Sequence, residues 1–324
     1  MGRALRHIEP PTIDDVRAAR ERIESTVERT PLIRLNVDSP NEIYLKLESL
    51  QPIGSFKLRG ATNAMRMLAP DTLSAGVYTA SAGNMAQGVA WGARALGVPC
   101  TVVMPASAPR TKVDAVERLG GRIVSLPYDE WWQTLADHGR EGIAGTFIHP
   151  VADRAVMAGN GTIGLEIVEE LPDVDEVLVP FGGGGLVAGI ATTIRALAPE
   201  VAVYGCEVAT STPLTAALAA RAPVMVDRTP SFVDGIGGRG VLPEMWPIVS
   251  GLVTGARVAP LVDVAHAIRT LIERARVVAE GAGATPVACA LADRRESGPA
   301  GRKTVCVVSG GNIDLKTLIE LMDA

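Results

Sequence analysis

The sequence predicts an α/β protein built from mostly parallel β-sheets with helices on their faces. Three observations lead to this prediction. Apolar residues make up 47% of the 324 residues and aromatic residues only 4%, so small and branched aliphatic side chains fill the core. Short apolar segments alternate with helical segments along almost the whole chain. Parallel strands need such long crossover connections, so we expect βαβ units throughout.

In the first half of the chain, strands and helices are predicted in alternation. A helix over 14–27 follows Thr12, whose hydroxyl is a suitable N-cap. The segment 83–96 is rich in alanine, which has the highest helix propensity. An apolar strand over 100–104 ends at Pro105. The other elements predicted here are strands over 42–47, 76–79 and 122–126, a short strand ending at Phe147, and helices over 110–119 and 129–141.

The second half of the chain repeats this alternation. A helix over 161–170 precedes an apolar strand over 176–180, and a run of glycines then leads into a helix over 186–197. The remaining elements are strands over 201–207 and 304–308 and helices over 262–278, over 284–292 and from Leu315. We find no repeat of fixed period and no low-complexity linker, so composition alone places no domain boundary.

Charge and cysteine usage exclude several classes of function. The formal net charge is −5 with no long run of one sign, which argues against a nucleic-acid partner. The chain has no apolar stretch long enough to span a membrane, and its N-terminal segment lacks the apolar core of a signal peptide. We therefore expect no membrane association and a cytoplasmic location. The cysteines form no CxxC pair and the histidines no HxxxH pair, which predicts neither a zinc site nor a disulfide framework.

The first segment that carries chemistry is YLKLESLQPIGSFKLRG, over 44–60. A turn over 51–54 leads into a helix that has Lys57 in its first turn. The partial positive charge of a helix N-terminus lowers the pKa of an amine there, which a Schiff-base lysine needs. Phe56 beside it is able to cover an aromatic ring. An isolated lysine is most often a solvated surface charge, so this interpretation depends on the other segments.

The second segment, VLVPFGGGGLVAGI over 177–190, is a buried strand, a glycine loop and an apolar helix. Backbone N–H groups converge in such a loop without side chains, and the helix dipole adds to them, which suits a phosphate dianion. The loop also matches the dinucleotide-binding pattern GxGxxG/A from Gly183 to Ala188, with Glu207 as the acidic residue at the end of the next strand. An NAD-binding oxidoreductase is therefore an alternative, although it leaves the lysine segment without a function.

Two further loops follow apolar strands. ASAGNMAQG over 80–88 offers Ser81 as an N-cap and backbone amides suited to a carboxylate, and the Asn84 amide is able to donate to a phenolate oxygen. VVSGGNIDL over 307–315 offers the hydroxyl of Ser309 to a heterocycle nitrogen. Taken alone, each loop also fits an ordinary strand-to-helix turn.

Together these segments resemble the fold type II pyridoxal-phosphate enzyme family, in its branch of threonine and serine dehydratases (ammonia-lyases) and serine racemases. The resemblance extends from TPL at Thr30 to SGGNIDL and depends on the order of GSFKLRG, SAGN, HP, GTIGLE, PFGGGG and SGGN. It implies a two-domain fold like that of the tryptophan synthase β chain, each domain a mostly parallel sheet flanked by helices. The large cofactor-binding domain would comprise 1–50 and 150–324, and the small inserted domain 51–149.

The resemblance also implies a function for each matching residue. Lys57 would bind pyridoxal 5'-phosphate as a Schiff base and then act as the base at Cα. Phe56 would lie against the cofactor ring, Asn84 would bond its hydroxyl oxygen, and Ser309 would contact the pyridine nitrogen. The phosphate would be held by Gly182, Gly183, Gly184, Gly185 and the Leu186 amide. The substrate carboxylate would be held by the loop of Ser81, Ala82, Gly83 and Asn84.

The chain departs from the family pattern at three positions. Met85 stands where the family often has histidine, which we expect to change one wall of the substrate pocket. Asn160 replaces a usual glutamine. Pro213 stands where relatives with a cation site carry a carboxylate, so Glu207 would be the only acidic ligand there and we predict no metal site.

The resemblance implies an ammonia-lyase that converts a β-hydroxy amino acid, threonine or serine by default, to a 2-oxo acid and ammonia. An amino acid racemase or another β-eliminating enzyme of the same fold is the alternative. Serine racemases carry a serine where this chain has Ala82, whose methyl group cannot transfer a proton. A non-catalytic amino-acid-binding relative is disfavoured, because the lysine and both anion loops are present. A homodimer is expected from the resemblance alone.

Overall fold

The computed structural model describes residues 6–108, 110–293 and 301–323. The first five residues of the segment inspected for a signal peptide, Pro109 of the predicted small domain, and 294–300 and 324 of the predicted large domain lie outside the described residues. The strands are β1 (Leu32–Arg34), β2 (Glu42–Lys46), β3 (Val77–Ala80), β4 (Cys100–Pro105), β5 (Arg122–Leu126), β6 (Thr146–Phe147), β7 (Glu176–Pro180), β8 (Ala202–Val208), β9 (Gly255–Ala259) and β10 (Lys303–Val307).

The helices surround these strands, and among the described residues no helix is both long and apolar enough to cross a membrane. They are α1 (Ile13–Ile23), α2 (Lys57–Arg66), α3 (Pro70–Ser74), α4 (Asn84–Leu96), α5 (Arg110–Arg118), α6 (Tyr128–Ala136), α7 (Arg154–Glu170), α8 (Gly185–Leu197), α9 (Pro213–Ala220), α10 (Trp246–Leu252), α11 (Leu261–Thr270), α12 (Gly281–Ala292) and α13 (Leu315–Asp323). A 3₁₀ turn over Glu48–Leu50 follows β2, and a π-helical turn over Leu271–Ala275 extends α11.

The large sheet has six strands in the order β1-β2-β10-β7-β8-β9. Only β1 pairs antiparallel among the described strands of this sheet. The last strand, β10, lies between β2 and β7, so that Cys306 is opposite both Leu45 and Leu178. Because β2, β10 and β7 are parallel, the segments that follow them leave the sheet at one edge. These are the lysine segment, the SGGN turn and the glycine loop, so the topology brings three of the predicted motifs together.

Helices cover both faces of the large sheet, which explains its nearly continuous apolar strands. Val177 and Val179 of β7 pack in the core formed with α7 and α8. Leu178, which points to the opposite face, packs in the core formed with α11 and α12. Glycines let α7 and α8 approach closely, since a Cβ at Gly189 would lie 2.2 Å from the Met157 carbonyl oxygen.

The small sheet has four parallel strands in the order β5-β4-β3-β6. Because β3 and β6 are neighbours, the SAGN loop after β3 and the segment over 149–152 after β6 share one edge. All four strands lie within 51–149 and the strands of the large sheet lie outside it. The boundaries of the two domains, 1–50 with 150–324 and 51–149, stay a prediction.

Local signals predicted most elements, and the errors are of two kinds, misplaced helix ends and missed elements. Thr12 is the N-cap of α1 and forms a capping box with Asp15, as its hydroxyl suggested, but the helix ends at Ile23 and not at 27. The helix predicted over 161–170 begins earlier, at Arg154, because the Asp153 side chain accepts hydrogen bonds from the amides of Ala155 and Val156. The elements that sequence analysis missed are β1, β9, α3, α9 and α10.

Candidate active site

Lys57 is the first residue of α2, as predicted, and Phe56 is the N-cap. Two backbone hydrogen bonds tie the turn before it to the SGGN turn. The Phe56 amide donates to the buried Ser309 carbonyl oxygen at 3.0 Å, and the Gly311 amide donates to Gly54 at 2.9 Å. Gly54 has φ +72°, a left-handed conformation that favours glycine. The lysine is therefore fixed against the carboxyl end of β10.

The amine of Lys57 is partly buried and lies against the segment after β6. Its Nζ donates a hydrogen bond to the Pro150 carbonyl oxygen at 2.7 Å and lies 5.0 Å from the centre of the Phe56 ring. Burial lowers the pKa of this amine to about 8, and the negative charge of Glu280 opposes that change. The lowered pKa was expected, but its main cause is burial and not the helix dipole. A substantial fraction of the amine is neutral, and so nucleophilic, near pH 8.

His149 holds the segment that carries Pro150. Its Nδ1 accepts hydrogen bonds from the amides of Val151 at 3.0 Å and Ala152 at 2.7 Å, so Nδ1 carries no proton. Burial, with positive charge at His138 and Lys57, lowers the pKa of His149 well below its usual value. In the sequence this histidine is recognisable only as part of the HP motif. Its position shows that a neutral imidazole fixes the carbonyl that the lysine amine meets.

The glycine loop joins β7 to α8 and lies against the same segment. Gly184 is the N-cap of α8 and has φ +94°. A Cβ at Gly183 would lie 2.6 Å from Val151 Cγ2, and a Cβ at Gly185 would lie 2.7 Å from the Val151 carbonyl oxygen. Larger residues therefore do not fit here. The amides of Gly185 and Leu186 are in the first turn of the helix, where no helical carbonyl is available, and they suit an anion.

The SAGN loop, which follows β3 at the edge of the small sheet, is accessible to solvent. Ser81, Ala82, Gly83 and Asn84 are all partly exposed. The prediction that Ser81 caps α4 is wrong, because Gly83 occupies the N-cap position and Ser81 Oγ accepts from the Gly83 amide at 3.2 Å instead. A Cβ at Gly83 would have no atom within 4 Å. The loop therefore borders open space in which a ligand is able to contact its amides.

Asn84 connects the two sheets through a residue that sequence analysis missed. Its Nδ2 donates to Glu280 Oε1 at 2.8 Å, and its Oδ1 accepts from Asn312 Nδ2 at 2.8 Å. Glu280 is buried at the start of α12. Burial, and then the charge of Asp234, raise its pKa to about 7. The first glycine of the SGGN turn, Gly310, makes room for the Glu280 carboxyl group, since a Cβ at Gly310 would lie 2.6 Å from Glu280 Oε1.

These contacts bring the predicted site residues into one region. Lys57 meets Phe56 and Pro150, Phe56 is bonded to Ser309, and Val151 joins Pro150 to the glycine loop. Asn84 reaches the same SGGN turn through Asn312, which also donates to the Ile53 carbonyl oxygen at 2.9 Å. The edges of both sheets thus form the walls of one cleft.

Behind the lysine, a buried ionic network fixes α2. Arg59 makes two hydrogen bonds of 2.8 Å to the carboxylate of Glu48 and bonds of 2.6 and 2.9 Å to that of Glu166. Lys46 adds a second cation, 2.7 Å from Glu166. The side chains of Arg59 and Glu48 are almost completely buried. The charges of these two cations and two carboxylates therefore offset each other at the buried side of α2, the helix that carries the lysine.

The three departures from the family pattern have structural explanations. Met85 is buried in the apolar core around Val89 and Met104, so the expectation that it forms a wall of the substrate pocket is wrong. Asn160 donates from Nδ2 to the Gly185 carbonyl oxygen at 3.2 Å and so contacts the glycine loop. Glu207 caps α9 by accepting from the amides of Leu214 and Thr215 and from the Thr215 hydroxyl. In the described part of the chain, no group of three or more His, Cys, Asp or Glu is arranged to hold a metal ion.

Comparison with known proteins agrees with this architecture. A family model described as pyridoxal-phosphate dependent enzyme matches residues 23–310. The chain is 44% identical over 308 residues to an L-threonine ammonia-lyase of Geobacter sulfurreducens, which covers 94% of this chain and 76% of that protein.

Two solved structures have the same fold. Maize serine racemase matches with a TM-score of 0.86 and 31% identity, over 97% of this chain and 98% of that one. The processed form of threonine deaminase isoform 2 from Solanum lycopersicum matches with a TM-score of 0.86 and 30% identity, over 98% of this chain and 91% of that one. The residues that the family model matches include the lysine segment and the glycine loop.

Proposed function

The chain belongs to the pyridoxal-phosphate dependent enzyme family, and on that premise we propose that it is an ammonia-lyase that converts L-threonine, or L-serine, to a 2-oxo acid and ammonia. The observation that carries this choice of reaction is the 44% identity to an L-threonine ammonia-lyase over 94% of the chain. Because the family match accounts for Lys57 and the glycine loop together, the NAD-binding alternative is overturned.

The residues of the cleft fit the cofactor, which is pyridoxal 5'-phosphate. Lys57 supplies an amine whose pKa is lowered to about 8. The loop over 182–185 and the Leu186 amide suit the phosphate, because side chains are excluded there and helix-terminal amides are available. Phe56 lies beside the lysine, where its side chain suits contact with the cofactor ring. The Asn84 amide suits the hydroxyl oxygen of that ring, and the Ser309 hydroxyl suits its pyridine nitrogen.

Each residue then has a task in the elimination. Bound cofactor withdraws electrons from the substrate's Cα and so makes the Cα proton acidic. Lys57 Nζ accepts that proton, and the Pro150 carbonyl oxygen directs the amine through its hydrogen bond. The SAGN loop binds the substrate carboxylate with its amides and so positions Cα. The β-hydroxyl takes up a proton, equivalent to the one that Lys57 removes from Cα, and leaves as water. Hydrolysis of the released enamine, through its imine form, then gives the 2-oxo acid and ammonia.

Ala82 favours elimination over racemisation. Racemisation needs a second proton donor on the face of Cα that is opposite the lysine. Ala82 lies in the SAGN loop with a methyl group that cannot supply a proton, although the chain has the fold of maize serine racemase.

We also propose that the enzyme is a cytoplasmic homodimer. All four cysteines are buried and free, which suits a reducing compartment. The dimer is proposed from the resemblance to the family, and sedimentation of the purified holoenzyme tests it.

A panel of β-hydroxy amino acids, with ammonia and 2-oxo acid measured in parallel, tests the proposed function. We expect L-threonine or L-serine to give the highest kcat/KM, with equal amounts of the two products. A Lys57→Ala variant, which keeps the glycine loop, is the matched control and should be inactive. Release of no ammonia from any member of the panel, or formation of the D-enantiomer faster than 2-oxo acid, would contradict the proposal.

A further inference from the structure

Glu280 is a buried carboxyl group beside the cofactor site, and the elimination described above assigns it no task. It comes from the start of α12, on the opposite wall of the cleft from Asn84 in α4. Its Oε1 accepts from Asn84 Nδ2 at 2.8 Å. Gly310 leaves the space that its carboxyl occupies, since a Cβ there would lie 2.6 Å from Oε1.

Asn84 is held on its other side by Asn312. Both N–H groups of Asn312 are used, because Nδ2 donates to the Ile53 carbonyl oxygen at 2.9 Å and to Asn84 Oδ1 at 2.8 Å. A flipped Asn84 amide would turn its NH₂ group toward the NH₂ group of Asn312 and its oxygen toward the carboxylate of Glu280. Two hydrogen-bond donors would then face each other at Asn312, and two acceptors would face each other at Glu280, so both hydrogen bonds would be lost. The two neighbours therefore select one orientation of the Asn84 amide, and among the described residues its second N–H has no acceptor.

The charge of Glu280 depends on its surroundings in a predictable way. Burial and the negative charge of Asp234 favour its neutral form, while the Asn84 hydrogen bond and the positive charges of Lys112 and Lys57 favour the carboxylate. Asp234 and Lys112 form an ion pair of 2.6 Å, so their charges largely offset each other. A protonated Glu280 is able to donate its O–H to a flipped Asn84, which removes one of the two constraints on the amide.

We propose that Glu280 is a positioning residue that, together with Asn312, fixes the Asn84 amide so that its remaining N–H is available to the ring oxygen of the cofactor. The proposal depends on the proposed function only for the identity of the cofactor. It implies that the contribution of Asn84 to cofactor binding exists while Glu280 is ionised and falls as the carboxyl is protonated. Because the carboxylate also stabilises the ammonium form of Lys57, its removal lowers the pKa of that amine further.

The test measures the Kd of pyridoxal phosphate for the apoenzyme, from the absorbance of the bound cofactor, between about pH 6 and pH 8.5, on either side of the Glu280 pKa of about 7. Glu280→Gln keeps the shape of the side chain and removes its charge. We expect it to bind the cofactor about tenfold more weakly than the parent at the high end, since Asn84 then donates to a neutral amide oxygen instead of a charged carboxylate. At the low end the two proteins should have the same Kd. Asn84→Ala should weaken binding in the parent and have a smaller effect in the Glu280→Gln background.

Glu207→Gln is the matched control, because Glu207 is also a buried carboxyl with a raised pKa but caps α9. The Kd of pyridoxal phosphate for this variant should equal that of the parent at every pH. Circular dichroism and thermal melting of each apoenzyme show whether a variant is folded. If Glu280→Gln is folded and its Kd follows the parent across the range, or if its effect and that of Asn84→Ala are additive, the proposal is overturned. These readouts need no amino acid substrate, so they are independent of whether L-threonine is deaminated.

Discussion

The Nζ of Lys57 donates a hydrogen bond of 2.7 Å to the carbonyl oxygen of Pro150, which joins the first residue of α2 to the segment that follows the small sheet. Val151, the next residue in that segment, contacts the glycine loop of the large sheet. A single short segment, held by the neutral ring of His149, therefore positions both the reactive amine and the phosphate cradle.

The reactivity of Lys57 should depend on pH with a midpoint near 8. Burial destabilises the ammonium form and lowers the pKa from 10.5 to about 8, so the neutral amine predominates above about pH 8. We expect the rate constant for combination of the apoenzyme with pyridoxal phosphate to rise with pH and to level off above that value. Stopped-flow absorbance measures it. A rate that continues to rise toward pH 10.5 would show that the amine is not desolvated.

Gly183→Ala should weaken cofactor binding by displacing the loop. The added methyl group would lie 2.6 Å from Val151 Cγ2, so either the loop or the segment over 149–152 must move. Overpacking of this kind costs about 1–3 kcal/mol, which corresponds to an increase of about tenfold or more in the Kd of the cofactor. Gly251→Ala is the control, because a Cβ there meets nothing within 4 Å. Equal Kd values for the two variants would contradict the close contact.

Ala82→Ser should add racemisation to the reaction. The new hydroxyl would lie in the SAGN loop, where it provides a proton donor that the methyl group cannot provide. We expect formation of D-serine from L-serine to rise by about 10²-fold or more, the usual contribution of a positioned acid, while elimination continues. Chiral chromatography measures the product. Ala75→Ser, at an exposed position outside the cleft, is the control. If Ala82→Ser forms no more D-serine than this control, the assigned place of Ala82 beside the substrate is wrong.

Arg59→Met should destabilise the fold far more than the removal of an exposed arginine. The substitution leaves the carboxylates of Glu48 and Glu166 buried without their main partner. Breaking a buried ion pair in this way costs about 3–5 kcal/mol of unfolding free energy. Arg20→Met removes an exposed pair with Glu169 and should cost about 1 kcal/mol or less. Urea denaturation of both variants measures the difference, and similar midpoints would contradict a stabilising network under α2.

Secondary structure that depends on neighbouring residues was predictable from the sequence, and secondary structure that depends on distant residues was not. The Thr12 cap and the strand Arg122–Leu126 were predictable, because capping and alternation act within a few residues. The start of α7 was missed although Asp153 is a suitable cap, since the glycines that follow lower the helix propensity of the segment. They are present because a Cβ at Gly159 would lie 2.6 Å from the Arg59 carbonyl oxygen.

In the candidate site, motifs with their own local chemistry were found and residues that act across the cleft were not. Lys57 and the glycine loop carry recognisable patterns in one segment each. Glu280 acquires its importance only from Asn84, which is 196 residues away in the chain. The same holds for Pro150, whose backbone oxygen has no side-chain signal in the sequence. The assignment of Met85 to the pocket was wrong because its burial depends on packing against other helices and strands.

Borohydride reduction of the holoenzyme, followed by proteolysis and mass spectrometry, tests most directly whether Lys57 binds the cofactor. We expect a pyridoxyl adduct on the peptide that contains Lys57 and on no other lysine. An adduct on a different lysine would contradict this assignment of Lys57. Full activity of the Lys57→Ala variant would also contradict it.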